Sequence, residues 1–201
     1  MAHCAFFISG AAMHIYYPSL SAIEQQTRQL DQVPCHHCRQ TNQLVSHGFV
    51  YKKQTGTEPQ AVGKRVFCSN RQHYTGCGRT MRLYLDATVR WLRYAGAQVV
   101  AFIWVLIAGS TVQQAYWQAT GTADPRHANR WLHRLGAQLS GYRSLSHRPP
   151  LQDADIAAAV SVAANRPVRY GVLASTCTQL LQRFGPPLCA NYQQQTQRSF
   201  L

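Results

Sequence analysis

At 201 residues the chain is long enough to bury one ordinary core or two small ones without disulfide staples. Apolar residues make up 46% and charged residues 13%, a balance that excludes bulk disorder. Twenty Lys+Arg against seven Asp+Glu leave a formal charge of +13. The carboxylates (Glu24, Asp31, Glu58, Asp86, Asp124, Asp153 and Asp155) are too few and wrongly ordered for a two-metal nuclease or transposase core, because both glutamates precede Asp86.

In chain order, Met1 to Tyr17 is apolar but has no Lys or Arg ahead of the run, so a signal peptide is not expected. Pro18, Ser19 and Ser21 open a partial helical stripe of Ile23, Gln26, Thr27 and Leu30, which Pro34 stops. Short β-type runs follow at Leu44-Val45, Phe49 to Tyr51, Val66-Phe67 and Met81 to Leu85. Lys52 to Gly63 has the composition of a polar hairpin tip. One long helix is expected over Ala87 to Ala108, with Arg90 and Arg93 at its basic start. Its most apolar stretch, Val99 to Ile107, is too short for a bilayer, which needs about twenty residues. Ser110 or Thr111 can cap a short helix over Val112 to Thr120, with Gly121 at its C-terminal end. Asp124-Pro125 starts another helix that runs to about Leu139. Ser140 to Pro150 reads as a linker, Ala154 to Ala164 and Val168 to Phe184 as two further helices, and Asn191 to Leu201 as a Gln-rich tail.

Seven cysteines are an odd number, and without a secretion signal metal ligation is expected over a disulfide framework. Cys35 and Cys38, two residues apart, can turn both thiolates onto one ion. Cys68, at the end of a strand, and Cys77, between Gly76 and Gly78, can complete a tetrahedron. Their eight-residue gap is wider than the usual two to four, and His73 offers a rival fourth ligand. The expectation is one structural zinc, closed to chemistry. His36 and His37 between the ligands are expected to be exposed, and Cys177 to be a small core residue.

Seventeen of the twenty cations are Arg, whose planar fork suits phosphate and guanine edges, so nucleic acid is the expected partner. The helix after Asp124 places Ala128, Trp131, Leu132, Leu135 and Leu139 on one side. Arg126, His127, Asn129, Arg130, His133 and Arg134 fall on the other. A helix, a short helix, a turn and a basic helix follow the order of a helix-turn-helix, whose second short helix enters the major groove. Arg82, Arg90 and Arg93 are candidate phosphate contacts.

This succession of Cys35-x-x-Cys38, hairpin, Cys68, Cys77-Gly-Arg-Thr and helix-turn-helix resembles the zinc-ribbon/helix-turn-helix DNA-binding proteins of bacterial insertion sequences. The ribbon half is also similar to Ogr/Delta-type phage activators. The resemblance spans roughly residues 35–140. It implies an α+β fold: a small β-hairpin zinc ribbon followed by a mainly helical helix-turn-helix region and C-terminal helices. It also implies zinc ligation by Cys35, Cys38, Cys68 and Cys77. The expected segments are an N-terminal helical extension (1–34), the ribbon (35–86), the helix-turn-helix (87–140) and a linker with C-terminal helices (141–201). The expected role is a cytoplasmic, non-catalytic, double-stranded-DNA-binding accessory factor or transcriptional regulator of a mobile element. It would work beside a separate transposase or recombinase and away from membranes. The rival is an adaptor that docks a recombinase or polymerase and binds nucleic acid without sequence preference.

Overall fold

The computed structural model describes residues 14–52, 58–146 and 168–201. Cys4, the far end of the expected linker and the helix expected over 154–164 lie outside the described residues. The fold is α+β, and the chain divides into two compact units, Met1–Leu85 and Asp86–Leu201.

The first unit is a four-stranded mixed sheet. β1 (His14–Tyr17), β2 (Leu44–Lys52), β3 (Gln60–Cys68) and β4 (Thr80–Leu85) lie in the order β1-β4-β3-β2. β2, β3 and β4 form an antiparallel meander, and β1 joins β4 in parallel, with His14 opposite Arg82 and Tyr17 opposite Leu85. Helix α1 (Leu20–Arg28) starts at Ser19, whose hydroxyl accepts the Ala22 amide at 3.1 Å. Its buried Ile23 joins Leu30, Leu44, Val66, Met81 and Leu83 in a core shared with Cys35 and Cys68. Residues 14–34 are therefore part of the sheet unit and not a separate helical extension. The cause is the nonlocal pairing of β1 with β4, which a four-residue apolar segment does not announce. Gln60 to Gly63, expected in the hairpin tip, is the start of β3.

In the second unit the helix expected from Ala87 begins nine residues later. Residues 86–95 form a loop closed by an antiparallel bridge between Thr88 and Ala95 and by the Gly96 amide donating to the Ala87 carbonyl. α2 (Gly96–Ile107) follows, so Arg90 and Arg93 sit in this loop and not on a helix. The loop persists because Val89 is buried and Leu92 and Tyr94 pack against the core, giving its apolar residues partners without helical periodicity. α3 (Val112–Thr120) has the capping box that its sequence announces: Thr111 Oγ1 accepts the Gln114 amide and Gln114 Oε1 accepts the Thr111 amide. Gly121 ends it in the left-handed conformation, at φ 69°.

α4 (Arg126–Ser146) starts where Asp124 Oδ1 accepts the Arg126 amide at 3.0 Å. At 21 residues it is about 32 Å long and absorbs the first part of the expected linker. Tyr142 explains the extension, because its ring is buried and its hydroxyl donates to the Phe200 carbonyl. α5 (Val168–Phe184) matches its expected span.

The Gln-rich segment is not a tail. α6 (Leu188–Thr196) buries Tyr192 and Gln193, and Phe200 is fully buried beyond it. Gln193 is satisfied on both sides: its Nε2 donates to the Asp86 and Thr88 carbonyls, and its Oε1 accepts the Phe200 amide at 2.9 Å. A buried polar side chain is tolerated only with such partners. No helix among the described residues is long and apolar enough to cross a membrane.

A four-thiolate centre and a basic helix face

Two backbone knuckles bring four cysteines together. In the first, the Cys35 amide donates to the Gln40 carbonyl and the Arg39 amide returns to the Cys35 carbonyl, both at 2.8 Å. This tight turn, with Arg39 at φ 65°, aims Cys35 and Cys38 the same way. The His37 amide also points at Cys35 Sγ, at 3.4 Å.

The second knuckle explains the wide spacing of Cys68 and Cys77. The Gly76 amide donates to the Ser69 carbonyl at 2.7 Å, which pinches residues 70–75 into a side loop. Within the thiol cluster, Cys68-Ser69 then meets Gly76-Cys77 as though only two residues separated the thiols. The Gly78 amide closes the turn on the Cys68 carbonyl at 2.9 Å, and the Cys77 amide donates to Cys68 Sγ at 3.2 Å. Gly76 has no room for a side chain, since a Cβ there would lie 2.3 Å from the Ser69 carbonyl oxygen and 2.5 Å from Cys68 Sγ. The side loop is held by Gln43, whose Oε1 accepts the Thr75 amide at 2.8 Å.

The four Sγ atoms lie within 4.8 Å of one another, with Cys35 to Cys77 at 3.7 Å and Cys38 to Cys68 at 3.6 Å. A tetrahedron with metal–sulfur bonds of about 2.3 Å has sulfur–sulfur edges of about 3.8 Å, so this cluster is sized for a metal ion. Cys77, not His73, is the fourth member; the His73 ring packs at a tilt against Tyr74 with centroids 4.2 Å apart. Burial pushes the Cys35 thiol up and the Cys68 thiol up to about 12, while the Gln40 backbone hydrogen bond draws Cys38 down to about 7. A metal bound here would have to displace protons from Cys35 and Cys68, and its hold would weaken as pH falls.

His36 and His37, expected to be exposed, are half-buried. His37 Nδ1 accepts from Arg79 Nη1 at 3.2 Å. Burial, and then Arg39 and His37, hold His36 below the usual imidazole range. Cys177 is buried in the second unit, as expected of a core residue.

The α4 face divides as its periodicity predicts, with two exceptions. Ala128, Trp131, Leu135 and Tyr142 are buried, whereas Arg126, Asn129, Arg130 and His133 are exposed at i, i+3, i+4 and i+7 spacing. His127 and Arg134 are half-buried, and the His127 ring contacts Tyr94 edge-on at 6.3 Å. The Asp124 carboxylate that caps α4 lies 3.6 Å from Arg126 Nε, a solvated pair. Arg82 is half-buried on β4 and belongs to the first unit. Arg93 is exposed, and the Arg90 guanidinium stacks over Trp91 at 4.5 Å. Trp91, exposed between Arg90 and Arg93, is not among the residues expected at the site, although the Arg90-Trp91-Leu92-Arg93 run sets a bulky aromatic between cations.

No protein-family model, curated protein or solved structure matches the chain.

Proposed function

We propose that the chain is a zinc-stabilised protein that binds double-stranded DNA through the first turns of α4. The observation that carries this reading is the exposed row of Arg126, Asn129, Arg130 and His133 on a helix whose other side is pinned by buried Trp131. α3, the turn at Gly121 and α4 have the order of a helix-turn-helix, and Arg and Asn are the side chains that read guanine and adenine edges. The net charge of +13 supplies the phosphate attraction. The four-thiolate set, with no water-derived ligand needed, suits one structural zinc. Cys35, Cys38, Cys68 and Cys77 hold it, and it ties the two knuckles together. With few carboxylates, the chain acts without cutting DNA itself. On the resemblance of its motifs to insertion-sequence proteins, the chain acts in this reading as an accessory factor or regulator of a mobile element, alongside a separate recombinase.

Selection of preferred duplexes from a random pool, followed by titration, tests the reader helix. Arg130→Ala should weaken the selected duplex by about 1–3 kcal/mol, the range of a bidentate base contact. Arg126→Ala should weaken all sequences alike and reduce the salt slope by about one. Unchanged affinity and slope in both variants would remove α4 as the reader and favour the adaptor reading.

A further inference from the structure

The loop before α2 spends its apolar residues unevenly. Val89 is fully buried, Leu92 packs on the core, and Tyr94 stacks edge-on against Trp131 at 5.2 Å and Tyr116 at 6.0 Å. The Tyr116 hydroxyl donates to that of Tyr94 at 2.8 Å, fixing the loop's C-terminal side. Trp91, the largest apolar side chain of the segment, instead remains 66% exposed. Its backbone has φ 64°, a left-handed conformation that is unfavourable for a bulky residue. Strain and an exposed indole in a loop anchored at both ends point to function more than to packing.

The surroundings say what the indole meets. Arg90 lies over the ring at 4.5 Å and Arg93 is exposed two residues on, so the patch is aromatic and cationic together. That pairing suits a nucleobase with its flanking phosphates, because every base has a face to stack and every linkage an anion to neutralise. The loop also adjoins the proposed reader helix: Tyr94 touches His127, in the first turn of α4, with ring centroids 6.3 Å apart. We propose that Trp91 is a base-stacking residue that receives one unstacked base of the DNA held by α4, with Arg90 and Arg93 on its phosphates. This inference rests on the DNA-binding reading above and adds a preference for DNA with an unpaired base.

The test compares a fully paired duplex with the same duplex carrying one unpaired 5-iodouracil. Wild type should prefer the second, and irradiation should cross-link the iodouracil to Trp91, mapped by mass spectrometry. Trp91→Ala should lose about 5- to 150-fold on the unpaired substrate while binding the paired duplex within about twofold. Trp91→Phe should keep most of the preference, since a phenyl ring still stacks. Equal affinity of wild type and Trp91→Ala for the unpaired substrate overturns the proposal, as does equal weakening on both substrates or a cross-link elsewhere. If Arg130→Ala still weakens the paired duplex in that case, the stacking inference fails alone. If neither duplex binds the wild type, the DNA-binding reading fails and this one with it.

Discussion

Cys68→Ser should abolish metal binding and unfold the sheet unit while leaving the helical unit intact. Both Cys35 and Cys68 are fully buried within the core that Ile23, Leu30, Leu44, Val66, Met81 and Leu83 form around them, so this small core is built on two members of the four-thiol cluster. Structural zinc supplies about 10–16 kcal/mol in zinc-finger peptides, as much as the whole stability of an ordinary domain. Native mass spectrometry should find one zinc per wild-type chain and none in the variant. Amide hydrogen exchange should then show lost protection across β3 and β4 but not across α2 or α5. A metal chelator should act like the substitution, as should lowering the pH, because protons compete for Cys35 and Cys68. Stoichiometric zinc in the variant, or undiminished protection in β3, would refute the assignment of this site.

Trp131→Ala should destabilise the helical unit by about 3–5 kcal/mol, the range for deleting a large buried aromatic. Its ring is fully buried and meets Tyr94, Phe102 and Tyr116 edge-on at 5.2, 5.4 and 5.3 Å. These contacts join the loop, α2 and α3 to α4, so the cavity would open where the whole unit converges. The indole Nε1 is buried without a hydrogen-bond partner among the described residues. Trp131→Phe forfeits no such bond and should cost much less. Urea unfolding of the full chain measures both, with the helical transition moving and the sheet transition staying in place. A change below about 1 kcal/mol for Trp131→Ala would mean that this aromatic cluster does not hold the unit together.

The two outcomes separate what was legible in the chain from what was not. Local chemistry was legible: the Cys35-x-x-Cys38 spacing, the Thr111 and Asp124 caps, Gly121 as a helix stop and the apolar row through Trp131 all act within a few residues. Cys77 was legible in type, but its spacing made sense only once the Ser69–Gly76 hydrogen bond pinched out residues 70–75. Long-range closure was not legible. His14 to Tyr17 becomes a strand because β4 is there to receive it in parallel, 68 positions on, with His14 opposite Arg82. Ala87 to Ala95 has enough apolar residues for a helix, but the Thr88–Ala95 bridge and the Gln193 side chain on the Asp86 and Thr88 carbonyls hold it as a loop. The same contacts turned a glutamine-rich segment from an expected tail into a buried element, because composition does not reveal which glutamine finds partners.

The excess positive charge and the exposed face of α4 are proposed to serve duplex DNA. The affinity of the intact protein for a duplex, measured from low to physiological salt, tests this. Each phosphate neutralised contributes about −0.9 to the slope of log affinity against log salt. If Arg126 and the loop residues Arg90 and Arg93 contact the backbone, the slope should be about −2.7 or steeper. A slope near zero, or no binding at low salt, would remove duplex DNA as the partner and leave the basic surface to another.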